Sequence, residues 1–162
     1  MSYGLLTTFI FLSFSFFSLK LGASELDLET FCQIKDGEIK EKFKCPKTSF
    51  PLLTPVCHFS NSSGQTHFTD GCTGPTGGHR DLFLKSCIAH DLCYHHEPSS
   101  SGKTQKDCDL EFRSNLLKAC SSAENYEACE KWAKTMYSAL RIFGSLAYRC
   151  DDSSVTDYTF SR

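Results

Sequence analysis

The stretch Lys85-Ser-Cys-Ile-Ala-His-Asp-Leu-Cys-Tyr94 decides how the rest of the chain is read. It sets a histidine beside an aspartate, with Cys87 three residues before the histidine and Cys93 three after it. At about 3.6 residues per turn, Phe83, Cys87, His90, Cys93 and Tyr94 share one stripe of a helix, while Leu84, Ile88 and Leu92 form a second apolar line. A helix apolar on two sides is buried between neighbours. His90 thus lies in the middle of a covered helix, where an imidazole is costly unless something pairs with it. Asp91 lies about 100° further round, so the two side chains diverge and serve different partners. The pair calls for another carboxylate near His90 and another oxygen donor near Asp91.

Flanking segments supply both. Asp70-Gly-Cys-Thr-Gly-Pro-Thr-Gly-Gly78 is a loop by composition, with four glycines and a proline in nine residues. Glycine lets backbone carbonyls approach an ion closely, and Asp70 adds a carboxylate. After a polar hinge, Glu97–Gly102, the pattern from Gln105 to Cys120 predicts a second helix. Asp109, Phe112, Leu116 and Cys120 share its stripe, so Asp109 is a carboxylate on a core-facing line and a candidate partner for His90. The bland reading of Asp109 is an acidic residue favoured near a helix N-terminus. A third helix is expected over about Tyr126–Tyr148, where Cys129, Trp132, Met136, Ala139 and Phe143 make an apolar face read as core. Gly144 within it marks a close approach or a kink.

Met1–Ser24 reads as a secretory signal: an apolar run from Leu5 to Leu19, then Lys20 and the small residues Gly22, Ala23 and Ser24. Its removal leaves one domain, residues 25–162, slightly more acidic than the formal net charge of −2. Such a balance gives no electrostatic footprint for a nucleic acid. Lys40–Lys44 is a basic run of the kind that usually forms a solvated face. All ten cysteines follow the leader, an even number in a small secreted chain, so disulfides are the default. Zinc is the rival use of Cys and His, but Cys87 and Cys93 lack its close spacing and an oxidising compartment disfavours thiolates. Residues 25–60 say least. Glu25–Phe31 suits a short helix, and Ser49–Val56 carries two prolines, so it is neither a regular helix nor a central strand. Asn61-Ser-Ser63 is a glycosylation acceptor triplet in a surface loop.

Cys87-Ile-Ala-His90-Asp91-Leu-Cys93-Tyr94 resembles the active-site helix of secreted phospholipases A2, and Cys108-Asp109 resembles that family's second-helix cysteine and aspartate. The likeness is greatest to the compact bacterial, fungal and conodipine-type branches. The loop reads Thr69-Asp-Gly-Cys-Thr73, Ser86 stands where venom and pancreatic enzymes carry another cysteine, and the third helix carries Tyr137-Ser-Ala-Leu-Arg-Ile-Phe-Gly144. The likeness covers roughly residues 69–144 and leaves 25–68 without a counterpart.

That resemblance implies an all-α, disulfide-linked fold with two antiparallel active-site helices, a third packing helix and a calcium-binding loop. It implies a secreted hydrolase acting on the sn-2 ester of phospholipids at a membrane or micelle surface. His90 would be the general base that activates water, and Asp109 would fix its tautomer. Asp70, Asp91 and the Gly71 carbonyl would hold Ca²⁺. Together with the spacing, the resemblance pairs Cys72 with Cys87, Cys93 with Cys108 and Cys120 with Cys129. Cys32, Cys45, Cys57 and Cys150 keep three possible pairings. His58, His67, His79, His95 and His96 match no motif position and are read as surface or loop residues. Two other classes stay open: a phospholipase-like toxin or receptor-binding protein without turnover, and an unrelated disulfide-linked helical signalling domain.

Overall fold

The computed structural model describes residues 27–41, 43–44, 51–52, 55–96 and 101–149 of the 162-residue chain. The leader, Cys45, Cys150, most of the 97–102 hinge and the tail from Asp151 lie outside the described residues.

Asp27 opens α1 (Leu28–Ile34) by accepting a hydrogen bond from the Thr30 amide at 2.7 Å. An N-cap aspartate satisfies an amide that the first turn cannot, which sets the start of the helix after Glu25. Beyond α1 the segment departs from the all-α expectation. Strands β1 (Glu38–Lys40), β4 (Val56–Ser60) and β5 (Thr66–Thr69) form an antiparallel sheet in the order β1-β4-β5. A two-residue ribbon pairs β2 (Phe43–Lys44) with β3 (Pro51–Leu52). The strands are two to five residues long, too short to show the period-two alternation by which a strand is read from sequence. Their order comes instead from burial: Val56, Cys57, Phe59, Phe68 and Thr69 are all buried. Cys57 is disulfide-bonded to Cys32 of α1, and the Phe31 ring packs edge-on against Phe59 at 5.5 Å. At the hairpin tip, Asn61 Oδ1 accepts hydrogen bonds from the Ser63 and Gln65 amides, each at 2.9 Å, closing the β4–β5 turn.

The rest is helical. α2 (Arg80–His95) buries Phe83, Cys87, His90, Cys93 and Tyr94 on one stripe and Leu84 and Ile88 on the other, as the pattern predicts. α3 (Gln105–Ala119) starts on a capping box, with Thr104 Oγ1 accepting from the Asp107 amide and Asp107 Oδ2 accepting from the Thr104 amide at 2.9 Å. A 3₁₀ turn, Cys120–Ser122, leads to α4 (Tyr126–Phe143), whose N-cap Asn125 accepts from the Ala128 amide. Contacts between α2 and α3 step in opposite directions: Cys93 is bonded to Cys108, and His90 meets Asp109 and Phe112. The two helices are therefore antiparallel. Phe83, Cys87, Phe112, Leu116, Cys120, Cys129 and Ala133 form the core they share with α4. The fold is helix-rich, with a small sheet fastened to one end.

Disulfides join Cys72 to Cys87, Cys93 to Cys108 and Cys120 to Cys129, besides Cys32 to Cys57. Each fastens neighbouring elements at a Cα separation of 5.2–5.7 Å. α4 stops five residues before the expected Tyr148 and tightens into a 3₁₀ turn at Gly144–Leu146. The reason is a close approach: Gly144 is buried, and a Cβ there would overlap the hydroxyl of Tyr94. Among the described residues no helix is long and apolar enough to cross a membrane.

The Cys93–Cys108 bridge closes a loop with a sequence separation of 15, and a loop of that length contributes about 3 kcal/mol through the unfolded chain. Replacing both cysteines with serine is expected to lower the unfolding free energy by about that amount, read as a shift of the urea midpoint. A midpoint unchanged from the parent would show that the bridge does not form.

Candidate active site

The antiparallel pairing of α2 and α3 puts His90 against Asp109. His90 Nε2 lies 3.1 Å from Asp109 Oδ1, with His90 7 % exposed and Asp109 wholly buried. An ionised carboxylate accepts only, so Nε2 carries the ring proton of neutral His90 and Nδ1 holds the lone pair. Two tilted rings contact the imidazole, with centroids 4.0 Å away for Tyr94 and 4.6 Å for Phe112. Tyr94 Oη donates to the same Oδ1 at 2.5 Å, and Arg141 Nη1 of α4 donates to Oδ2 at 2.6 Å. Burial pushes the His90 pKa below the ordinary 6.5, against the opposing pull of Asp109. Burial alone would raise the Asp109 carboxyl, but the hydrogen bonds from His90, Tyr94 and Arg141 outweigh it and hold it below the usual 3.8. The result is a neutral imidazole on an ionised carboxylate, the resting state a general base needs.

Asp91 points elsewhere, as the helical angle requires. Its Oδ2 accepts from Thr69 Oγ1 at 2.5 Å, from the Asp70 amide at 3.1 Å and from the Gly71 amide at 3.0 Å. Gly71 has φ +66°, a left-handed conformation that presents its amide to the carboxylate and that a side chain would strain. Burial, and next the Asp70 carboxylate beside it, push the Asp91 carboxyl well above the usual carboxylate range. Two carboxylates in contact cannot both stay ionised at low cost; they share a proton or take a cation. The donor set of Asp70 and Asp91 is hard oxygen in a glycine-bearing loop, which fits Ca²⁺ rather than a soft metal. Among the described residues no group of three or more His, Cys, Asp or Glu side chains is placed to hold a metal. Carbonyls, water or substrate would complete the shell.

A cleft of about 290 Å³ opens over His90 and Asp91, while Asp70 lines a neighbouring cavity of about 510 Å³ with Leu28, Thr73 and Arg80. His90, Asp91 and Phe112 line the cleft, together with loop residues 71–75 and an apolar series from α4 and its end: Met136, Ala139, Leu140, Phe143 and Leu146. This corrects the reading of the α4 face as core. Only its first half is: Cys129 is buried and Trp132 and Met136 pack on the core, but Phe143 is 64 % exposed. Met136 and Leu140 both pack on the core and line the cleft, and Ala139 and Phe143 extend that lining towards the end of α4.

The other histidines also differ from expectation. His95 and His96 are buried, because α2 continues through His95 and its last turn packs against β5. Phe68 stacks on His95 at 4.3 Å and donates its amide to His96 Nε2 at 3.2 Å, while the His67 ring stacks on His96 at 4.0 Å. His58 stacks on Phe68 at 5.8 Å, and burial, then the charge of Lys40, lower its pKa. His79 stays at the loop end, half-exposed, as read. Three site residues went unassigned from sequence: Thr69, Tyr94 and Arg141. Tyr94 carried a signal, lying one turn after His90 on the same stripe. Arg141 carried none, since its partner is 32 residues away.

Comparison of the chain with models of protein families, with curated proteins and with solved structures finds no match in any of the three.

The shifts at the dyad make a signed expectation. Asp109 raises the His90 pKa while burial lowers it, so Asp109→Asn removes the raising part and leaves the lowering one. In metal-free protein the His90 imidazole should titrate below 6.5, and lower still in the Asp109→Asn variant, by ¹H–¹³C NMR. An upward move would mean that the two side chains do not interact as described.

Proposed function

We propose that the chain is a secreted, calcium-dependent phospholipase A2 that hydrolyses the sn-2 ester of glycerophospholipids. The observation that carries this reading is the buried His90–Asp109 hydrogen bond at 3.1 Å, under an apolar cleft that His90 and Asp91 line, with Asp70 beside Asp91. The motif resemblance and the disulfides support it.

In this reading, Nδ1 of His90 takes a proton from water as the water attacks the ester carbonyl. Asp109 holds the ring in the tautomer that leaves Nδ1 basic and stabilises the imidazolium once formed. Tyr94 and Phe112 contact the ring and keep bulk water from it. The aliphatic lining of Met136, Ala139, Leu140, Phe143 and Leu146 suits an acyl chain, for which each buried CH₂ contributes about 0.8 kcal/mol. Asp70, Asp91 and the Gly71 carbonyl would hold Ca²⁺, which when bound supplies positive charge for the ester carbonyl and phosphate oxygens.

Release of fatty acid from phosphatidylcholine vesicles, with calcium or with excess chelator, tests the reading. His90→Gln is expected to lose about 10²-fold or more in rate, the low end of a general base's contribution, and Asp109→Asn to fall as well. Wild-type turnover by His90→Gln would end the mechanism. No release by the parent protein would favour the toxin or receptor-binding reading instead.

Calcium has a second readout. A site with two carboxylates and a partly hydrated ion has a dissociation constant on the order of 10⁻⁴ to 10⁻³ M. At about 10 mM calcium, linkage then raises the unfolding free energy by about 1.4 to 2.7 kcal/mol. Calorimetry should show that gain at neutral pH and its loss in Asp91→Asn. A variant that keeps the gain would remove Asp91 from the metal site.

A further inference from the structure

We propose that Arg141 is a positioning residue for the His90–Asp109 pair, acting through the second oxygen of the Asp109 carboxylate; this rests on the hydrolytic reading above. Asp109 is wholly buried, and a buried carboxylate is held ionised only by donors that replace its water. Its two oxygens are served differently. Oδ1 receives His90 Nε2 and Tyr94 Oη, both neutral groups, whereas Oδ2 receives Arg141 Nη1 at 2.6 Å. Among the described residues Arg141 is thus the one full positive charge on this carboxylate. A charge-assisted hydrogen bond of that length is about twice as strong as a neutral one.

The arrangement fixes a torsion as well as a charge. With Oδ2 tied to a guanidinium on α4, the carboxylate plane cannot rotate, and Oδ1 stays on the line to Nε2. The helix that carries Arg141 is itself held there. Gln105 Nε2 of α3 donates to the Leu140 carbonyl at 3.4 Å, and Gly144 lies against the Tyr94 hydroxyl. Leu140, Phe143 and Gly144 line the cleft and Arg141 does not. Its side chain is 37 % exposed, so the guanidinium reaches Asp109 from the solvent side and not through the cleft. Lysine could deliver the charge but not the planar fork.

The test is a double-mutant cycle on a short-chain phosphatidylcholine below its micellar concentration, with calcium present, reading kcat and KM separately. Arg141→Gln is expected to lower kcat about tenfold, the low end for an outer partner of a working group, with KM unchanged. Arg141→Lys should recover most of that loss. In an Asp109→Asn background, Arg141→Gln should add nothing, because the carboxylate it acts through is gone. Where Arg141→Gln does not fold, by melting temperature, Arg141→Met keeps the aliphatic stem packed and replaces it in the cycle. An unchanged kcat in Arg141→Gln, a change confined to KM, or an equal loss in the Asp109→Asn background would each overturn the proposal. His90→Gln is measured alongside: full activity there removes the hydrolytic reading and this proposal together, whereas its loss with Arg141→Gln intact removes this proposal alone.

Discussion

Asp109 is a carboxylate with no access to water. Left alone, such a group costs several kcal/mol and takes a proton instead. The fold answers by bringing a donor from each neighbouring element: His90 and Tyr94 from α2, Arg141 from α4. The constraint works in both directions. Three helices must keep their mutual positions for the carboxylate to stay satisfied, and the satisfied carboxylate holds the imidazole in one tautomer. Cys93–Cys108 sits one turn from the dyad on α2 and one residue from it on α3, so the covalent link and the polar link reinforce the same contact. Gly144 belongs to this arrangement too, since only a residue without Cβ lets α4 end against Tyr94.

How much of this was legible in the sequence follows from how local each interaction is. α2 and α3 were readable because both carry continuous apolar stripes with cysteines on them. His90, Asp91 and Asp109 could be singled out because a polar group on an apolar stripe is conspicuous. The sheet was not legible. Its strands are shorter than the window over which alternation shows, and its burial comes from packing on α1 and the end of α2, which is a tertiary fact. The same cause hid His95 and His96, which look like the polar end of a helix until β5 is laid over them. Phe143 failed in the opposite sense. An apolar stripe tells that a face is covered or lines something, but not which, and here the second half of α4 lines a cleft. Arg141 was illegible for a plainer reason: an exposed-looking cation gains meaning only from a carboxylate on another helix.

The two centres are built on opposite electrostatic principles. At Asp109 the protein provides every donor, so the charge is settled within the fold. At Asp70 and Asp91 two carboxylates meet, and burial with that neighbour favours a proton on the pair. That His90, which meets Asp109, and Asp91, which meets Asp70, stand side by side on α2 follows from the 100° step that sends neighbouring side chains into different spaces.

The contacts to Asp91 have a further consequence for the loop. The Thr69 hydroxyl and two successive backbone amides wrap one carboxylate oxygen, a small anion nest of the kind usually seen around phosphates. The loop is therefore templated by a side chain of α2 and takes its shape when that helix docks. Hydrogen exchange at the Asp70 and Gly71 amides would then track the opening of α2 from the sheet, at the pace of that sub-global motion, and would report on the helix rather than on the loop alone.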